Sequence, residues 1–393
     1  LALGFKLFAL PATDKKTSNT VKPRLAIFVY LCAMRFIFLV ALVAVACSNS
    51  TDPKPALASG YFPPLTGTGW ESTTPTSLGW NEAAVPALYD FLRANNTRAF
   101  LVLKDGKIVI EQYFGKQLNN SPLDFTVTSN WYWASAGKTL TSALVGIANA
   151  QGKINFDAKT SDYLGVGWTS LTLAQENAIT VRHQLTMTTG LDDAVANPDC
   201  TTKACLVFKT APGTRWAYHN APYTLLDGVV ASATGKSLNT FVTEEIKTKI
   251  GMDGQFIKTG DNNVYYSTAR GMARFGLLLL NRGKWADQVV IPESYVDLLM
   301  TTSQNLNVSY GYLTWLNGKS NFMVPGVQTV FPGAISPNAP AELFAAMGKN
   351  GQFINVVPNE ELVVIRMGDA PDNSLVPFTF QDTMWRELNK VIR

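Results

Sequence analysis

The sequence predicts an α/β chain of the α+β kind: one antiparallel sheet flanked by helices, with a helical domain inserted between the two halves of the sheet. Three observations predict it. Two early apolar runs, Ala99 to Leu103 and Ile108 to Phe114, are split by Lys104-Asp105-Gly106-Lys107, and Asp-Gly between such runs signals a tight hairpin. Three late apolar runs, Leu343 to Gly348, Phe353 to Val357 and Leu362 to Met367, are also strand-like. The stretch between the two groups, about 155 to 268, is mixed helix and loop with few strand signals. Either group of strands alone would expose an apolar face, so the two must share one sheet.

The elements follow in order. Trp80 to Asn95 carries helical apolar spacing through Ala84, Leu88, Phe91 and Leu92. Ser135 to Ala150 reads as a buried helix that stops near Gly152. Ala269 to Asn281 is a strongly apolar helix, and Thr379 to Val391 closes the chain as another. There is no internal repeat. The sheet subdomain is expected at about 70–152 and 269–393, and the helical subdomain at about 153–268.

With 393 residues, 47% of them apolar and 16% charged, the chain can bury a full core. Its net charge of +4 is local. Lys6, Lys15, Lys16, Lys22, Arg24 and Arg35 face Asp14 alone in residues 1–47, which leaves the rest close to neutral. Such a body lacks the electrostatic footprint of a nucleic-acid binder.

Residue 1 is Leu, and from Leu25 to Cys47 only Arg35 is charged. A membrane-spanning anchor is one reading. The preferred one starts at Met34, with Arg35 as the basic region, Phe36 to Val45 as the apolar region and Val45-Ala46-Cys47 as a small-residue cleavage site. That pattern resembles a bacterial lipoprotein signal, in which Cys47 becomes the lipidated N-terminus. Ordinary secretion is the third option. All three export the domain, and Ser48 after the Cys favours an outer membrane where the cell has one. Residues 48–69, rich in Ser, Thr, Pro and Gly, read as a tether that precedes a folded domain at 70–393.

In an oxidising compartment Cys200 and Cys205 read as a local disulfide, with two inert thiols as the alternative. His183 and His219 are the only imidazoles, and neither has ligand spacing to that pair. No metal site and no cofactor are therefore expected.

The chemistry is concentrated in two short motifs. Ser135-Ala136-Gly137-Lys138 is an S-x-x-K at a helix start. Residues three apart share a helix face, so the Lys amine can reach the Ser hydroxyl and, once desolvated, take its proton. Tyr218-His219-Asn220 follows, with Pro212-Gly213 before it and an apolar helix opening at Tyr223. Tyr and Asn two positions apart can share proton transfer and hold a substrate carbonyl or a water. Leu185-Thr186-Met187-Thr188-Thr189-Gly190-Leu191 lies between the two motifs.

Together with Ala269-Arg270-Gly271-Met272-Ala273-Arg274-Phe275-Gly276 and the final strand hairpin, these motifs resemble the β-lactamase-related serine hydrolases, from about Trp80 to the C-terminus. That group holds class C β-lactamases, family VIII carboxylesterases, D-amino-acid peptidases and aminohexanoate-oligomer hydrolases. The resemblance implies the penicillin-binding and β-lactamase-like fold. It implies Ser135 as nucleophile, Lys138 as base, Tyr218 as acid/base partner and Asn220 as the residue that orients the acyl intermediate.

The family's third motif, Lys-Thr-Gly, has a literal match in Lys258-Thr259-Gly260. It is read as a decoy in a loop, since Asp261-Asn262-Asn263 follows it and it precedes the sheet. Lys349-Asn350-Gly351 is a second match, but Asn350-Gly351 has the sequence of a two-residue hairpin turn. The motif then shifts to Ala346-Met347-Gly348, with Gly348 at the substrate. The backbone N–H groups of Lys349 and Ser135 would form the oxyanion hole. The run Gly348 to Gln352 resembles the aminohexanoate-oligomer branch. Ala346 cannot hold a β-lactam carboxylate as a lysine would, which leaves esters or linear amides. The alternatives are a β-lactamase or D-peptidase, and a low-turnover penicillin- or peptidoglycan-binding lipoprotein.

Trp131 and Trp133, with Tyr132, either line the acyl pocket or pack the core beside the helix. His219 is assigned a structural or rim role, because a neighbour on extended backbone points away from the motif. His183 is assigned a structural role, and Asp192-Asp193 a solvated loop. Ser135→Ala is expected to abolish ester hydrolysis and leave the fold intact. More than a few per cent of residual turnover in pure protein would contradict the assignment.

Overall fold

In a computed structural model, residues 60–393 are described. The leader, its Cys47 cleavage site and residues 48–59 of the tether lie outside the described residues. The rest of the tether region is not free throughout. Tyr61 donates its backbone N–H to the Asp105 carbonyl (3.0 Å), Pro63 is buried, and Phe62 packs on Trp285 with ring centroids 5.1 Å apart.

The first helix, α1 (Val85–Ala94), leads into strands β1 (Thr97–Lys104) and β2 (Lys107–Tyr113). Lys104 pairs with Lys107, and the two turn residues between them, Asp105 and Gly106, have φ of 52° and 79°. This is the mirror-image turn that an Asp-Gly pair favours. A short strand β3 (Trp131–Tyr132) precedes α2 (Gly137–Ala150). Nearly every α2 side chain is buried, Lys138, Thr139, Thr141 and Ser142 among them, so the helix lies inside the protein.

Helices α3 (Asn220–Thr224) and α4 (Leu226–Thr234) follow among loops. The sequence gives few strand signals here, yet β4 (Gln255–Thr259) and β5 (Asn262–Ser267) form a hairpin. Alternation of Phe256, Tyr265 and Ser267 inward with exposed residues supports it. β5 also pairs with β3, which makes a separate three-stranded sheet. Lys258 and Thr259 are thus strand residues at the end of a hairpin, not loop residues, although outside the main sheet.

After α5 (Ala269–Leu280) and α6 (Glu293–Met300) come β6 (Trp315–Leu316), β7 (Phe344–Gly348), β8 (Gln352–Val357) and β9 (Leu362–Gly368). Helix α7 (Phe378–Ile392) ends the chain. The main sheet is antiparallel in the order β2-β1-β9-β8-β7-β6, so the N-terminal hairpin closes onto the C-terminal strands.

Every residue of β7, β8 and β9 is buried, because both faces of the sheet are covered. Ile354 and Val363 face α5, where a Cβ on Gly276 would stand 2.6 Å from Val363 Cγ1. Phe353 faces α7 and stacks on Phe380, and Asn355 on that face accepts from Gln381. On α2, Gly146 makes room for the Tyr295 ring of α6, whose hydroxyl lies 2.8 Å from Ser142 Oγ. A Cβ at Gly146 would sit 2.2 Å from that ring. Gly146→Ala is expected to cost about 1–3 kcal/mol, read as a lower urea midpoint; an unchanged midpoint would mean that α6 is not fixed against α2.

Candidate active site

Trp133, Ala134, Ser135 and Ala136 form a tight turn that enters α2. Ala134 has φ 47°, a left-handed conformation that a side chain resists. The turn is held from outside. Trp133 donates its backbone N–H to Tyr265 O (2.8 Å) and its indole N–H to Ser267 Oγ (2.8 Å), both on β5. Ser135 is thereby presented, half-buried, at the head of the helix.

Lys138 is one helical turn on and 3% exposed. Its Nζ lies 3.0 Å from Ser135 Oγ and 2.7 Å from Asn220 Oδ1. The ring of Tyr223 roofs the amine at 4.2 Å and that of Tyr218 at 5.0 Å. Burial pushes its pKa down to about 7, against the opposing charge of Asp199. The amine is thus neutral in an appreciable fraction of molecules near neutral pH.

Tyr218 stacks on Trp315 (5.6 Å between centroids) and meets Tyr310 edge-on. Burial pushes its hydroxyl well above the ordinary phenol range, and a hydrogen bond with Ser135 only partly offsets this. Tyr218 is therefore a neutral phenol. The segment that carries it is built by the Thr186–Leu191 stretch. Ala217 N–H donates to Met187 O (2.9 Å) and Gly213 N–H to Thr188 O (2.8 Å). Gly190, at φ 75°, approaches so closely that a Cβ would stand 2.2 Å from Thr210 O.

Asn220 opens α3. Its Oδ1 faces Lys138 and its Nδ2 donates to Asp199 Oδ1 at 2.7 Å. Asp199 precedes Cys200, which is bonded to Cys205 at an S–S distance of 2.02 Å. Strand β7 ends against the serine turn: a Cβ on Gly348 would stand 2.6 Å from Trp133 O and 2.9 Å from Ser135 N. The fold thus brings together Ser135, Lys138, Tyr218, Asn220 and Gly348. Lys349 is the first residue past Gly348.

The β7–β8 connection departs from the expected two-residue turn. Asn350 and Gly351 do have φ of 63° and 74°, but Gly348 pairs with Gln352, so Lys349 joins them in a three-residue loop. Fully buried Arg366 accounts for the extra residue. It donates to the carbonyls of Asn350 and Gly351 on one side and to those of Asn95 (2.8 Å) and Asp369 (3.0 Å) on the other. Burial lowers its pKa only to about 9, so it remains a cation at neutral pH.

Four assignments need correction or sharpening. Trp131 and Trp133 do not line a pocket: they are 2% and 0% exposed, and Trp131 donates to Gly368 O while packing on Phe125. Large indoles beside the buried helix fill the core and anchor the serine turn. His219 is not at a rim. It is 2% exposed, and burial pushes its pKa down to about 4, so it is neutral. Asp193 is paired with Arg215 at 2.7 Å and is largely buried rather than solvated. His183 closes the N-terminal cap of the helix at Val181–Leu185 with Thr180, a structural role. Among the described residues, no group of three or more His, Cys, Asp and Glu is placed to hold a metal ion.

Three contributors were not read from the sequence. Asp199 carried no signal beyond its place before a cysteine. Tyr223 is three residues after Asn220 on the same helix, a spacing that could have found it. Arg366 looked like an isolated cation in an apolar strand, which is itself a signal, because a buried charge demands partners.

A serine at the head of a helix, a buried lysine one turn on, a tyrosine-asparagine pair opposite and a strand end against the serine turn make up the site. The beta-lactamase family model matches residues 97–373, and the chain belongs to this family of β-lactamase-related serine hydrolases. An uncharacterized protein of Alkalihalophilus pseudofirmus is 25% identical, with 67% of this chain and 81% of that protein covered. Solved structures share the fold. One is a penicillin-binding protein homologue from Caulobacter crescentus (TM-score 0.62, 15% identity, 82% of this chain and 98% of that one). Another is a Bacillus anthracis protein provisionally assigned as a 6-aminohexanoate-dimer hydrolase (TM-score 0.61, 17% identity, 84% and 91% covered). Simvastatin synthase from Aspergillus terreus is similar too (TM-score 0.56, 15% identity, 79% and 99% covered).

Gly348→Ala and Lys258→Ala separate the two third-motif candidates. The Cβ at 348 meets backbone atoms that cannot move aside, and kcat is expected to fall by about 100-fold or more. Lys258 lines a different cavity with Asp227 and Asn263, and its loss is expected to leave kcat nearly unchanged. The opposite ranking in a steady-state assay, with both variants folded, would restore Lys258-Thr259-Gly260 as the motif.

Proposed function

We propose that the protein hydrolyses carboxylic esters or linear amides through a covalent acyl-enzyme on Ser135. The observation that carries this reading is the Lys138 amine, enclosed and 3.0 Å from Ser135 Oγ. Neutral Lys138 takes the Ser135 proton as Oγ attacks the substrate carbonyl carbon. Negative charge collects on the carbonyl oxygen, where the N–H groups of Ser135 and Lys349 stabilise it, each worth about 2.7–4 kcal/mol of barrier. Contact of Gly348 with the serine turn supports that pairing. As the intermediate collapses, the leaving oxygen or nitrogen takes a proton from the Tyr218–Lys138 pair. The same pair then deprotonates the water that attacks the acyl carbon and returns the proton to Ser135 Oγ.

Substrate class rests on β7. Ala346 stands where the β-lactam-binding relatives have a lysine, and it is buried. No ammonium on this strand meets a substrate carboxylate, which favours uncharged esters and linear amides over β-lactams. Export as a lipoprotein through Cys47, with the membrane touched only by the lipidated N-terminus, belongs to the same proposal. The Cys200–Cys205 bridge supports an oxidising compartment.

Parallel assays with p-nitrophenyl acetate and nitrocefin test the substrate class. Ester turnover with little lactam turnover is expected; the reverse would make this a β-lactamase, and a stoichiometric burst without turnover a penicillin-binding protein. The proton logic gives a second test. Base catalysis needs Lys138 deprotonated, so kcat/KM is expected to rise with pH through an ionisation of about 7. Lys138→Met should lose about 1,000-fold in kcat, and Tyr218→Phe about 100-fold with little change in KM. His219→Ala should keep the wild-type profile. If instead the ionisation vanishes in His219→Ala while Lys138→Met stays active, the base is an imidazole and the mechanism fails.

A further inference from the structure

We propose that Asp199 is a positioning residue that locks the amide of Asn220 in the one orientation that leaves Lys138 able to act as a base, and that the Cys200–Cys205 bridge holds Asp199 in place and so makes activity depend on its oxidation state. The inference rests on the reading of Lys138 as the base.

The argument starts from what each group can donate or accept. A carboxylate only accepts, so Asp199 Oδ1 at 2.7 Å requires the NH₂ end of Asn220 to face it. The carbonyl end must then face Lys138, 2.7 Å away. A neutral amine has two hydrogens and one lone pair. With one hydrogen given to Asn220 Oδ1, the lone pair is left for the Ser135 hydroxyl at 3.0 Å. In the flipped amide, the NH₂ group would occupy that lone pair, and the carbonyl would oppose the carboxylate. Without Asp199, nothing on that side selects between the two orientations.

The loop carrying Asp199 is pinned on several sides. Asp199 N–H donates to Asn197 Oδ1 (3.1 Å), and Ala221 N–H on α3 donates to Pro198 O (3.1 Å). Asn197 Nδ2 reaches Asp261 Oδ2 at 3.1 Å. The disulfide closes the loop directly after Asp199, across a separation of five residues. These contacts are single hydrogen bonds at a partly exposed surface, so the covalent bridge is the strongest restraint next to the carboxylate.

The charges around Lys138 are few. α2 offers the Ser135 hydroxyl, and the segment before α3 offers neutral Tyr218 and neutral His219. α3 offers Asn220 and neutral Tyr223, behind which lie Tyr310 and the half-buried Asp227, whose carboxyl is raised to about 7. Among the described residues, the Asp199 carboxylate is the charge that acts on the amine, and it favours the protonated form. Removing that charge while keeping an acceptor therefore moves the ionisation of Lys138 to lower pH.

The test is a set of kcat/KM–pH profiles with p-nitrophenyl acetate on the full chain, together with a thermal melt of each variant. Asp199→Asn keeps an oxygen that can accept from Asn220 and loses the charge. Its rising limb is expected to move toward acid by about one pH unit, with a smaller loss of kcat than in Asp199→Ala. Asp199→Ala should lose kcat by about tenfold or more, with KM little changed. Cys205→Ser, or reduction by a phosphine, should lower kcat in the wild type but add nothing in the Asp199→Ala background. A limb that stays put or moves toward alkali in Asp199→Asn overturns the charge coupling. Losses that multiply when Cys205→Ser is combined with Asp199→Ala overturn the link to the bridge. If Asp199→Ala fails to fold, the Asp199→Asn profile and the reduction arm still decide. A wild-type profile with no rising limb would instead sink the assignment of Lys138 as base, an outcome separate from these.

Discussion

An ammonium group removed from water and given no carboxylate in direct contact is costly in any protein, and Lys138 is in that position. Its neighbours are a hydroxyl, an amide oxygen and two aromatic faces. Each can accommodate a cation, but none holds it as firmly as an ion pair would. The result is an amine poised between its two protonation states, the state that the proposed base role requires. Much of the surrounding architecture serves to maintain that enclosure.

The serine turn and the first turn of α2 deliver Ser135 and Lys138 side by side, and the burial of that turn keeps the amine from solvent. The aromatic cluster of Tyr218, Trp315 and Tyr310 seals one side. Small residues permit the close approaches that large ones would block: Gly348 lets β7 touch the serine turn, and Gly190 lets the Tyr218 segment fold back on the Thr188–Gly190 backbone. Arg366 gathers carbonyls from the segments that meet at one end of the sheet and so shapes the loop after Gly348. The strained φ of Ala134 fits this picture, since a turn that is held at both ends by β5 and α2 can keep a side chain in an unfavourable conformation.

Much of this was legible in the sequence because it depends on local patterns. The Asp105-Gly106 hairpin, the buried helix after Ser135 and the three C-terminal strands rest on turn chemistry and apolar periodicity. The Ser135/Lys138 spacing needs only helix geometry. What stayed hidden depends on tertiary contact. The β4–β5 hairpin carries little signal because Gln255, Lys258, Thr259, Asn262 and Asn263 are polar and the apolar Ile257 is exposed, so its alternation is weak. The extra residue in the β7–β8 loop follows from the demand of Arg366 for carbonyls, which no local pattern encodes. Trp131 and Trp133 sit next to Ser135 in sequence, yet the left-handed turn at Ala134 separates their core-packed indoles from the serine at the head of the helix. Asp199 is distant from Asn220 in sequence and meets it only through the fold.

Direct titration of the Lys138 amine tests the central claim. With lysine labelled at Nζ, its nitrogen resonance, assigned by its loss in Lys138→Met, can be followed against pH in the folded protein. The account predicts an ionisation at about 7. An amine that stays protonated up to the ordinary lysine range of about 10 would contradict it, since Lys138 would then be a fixed cation and not the base that activates Ser135.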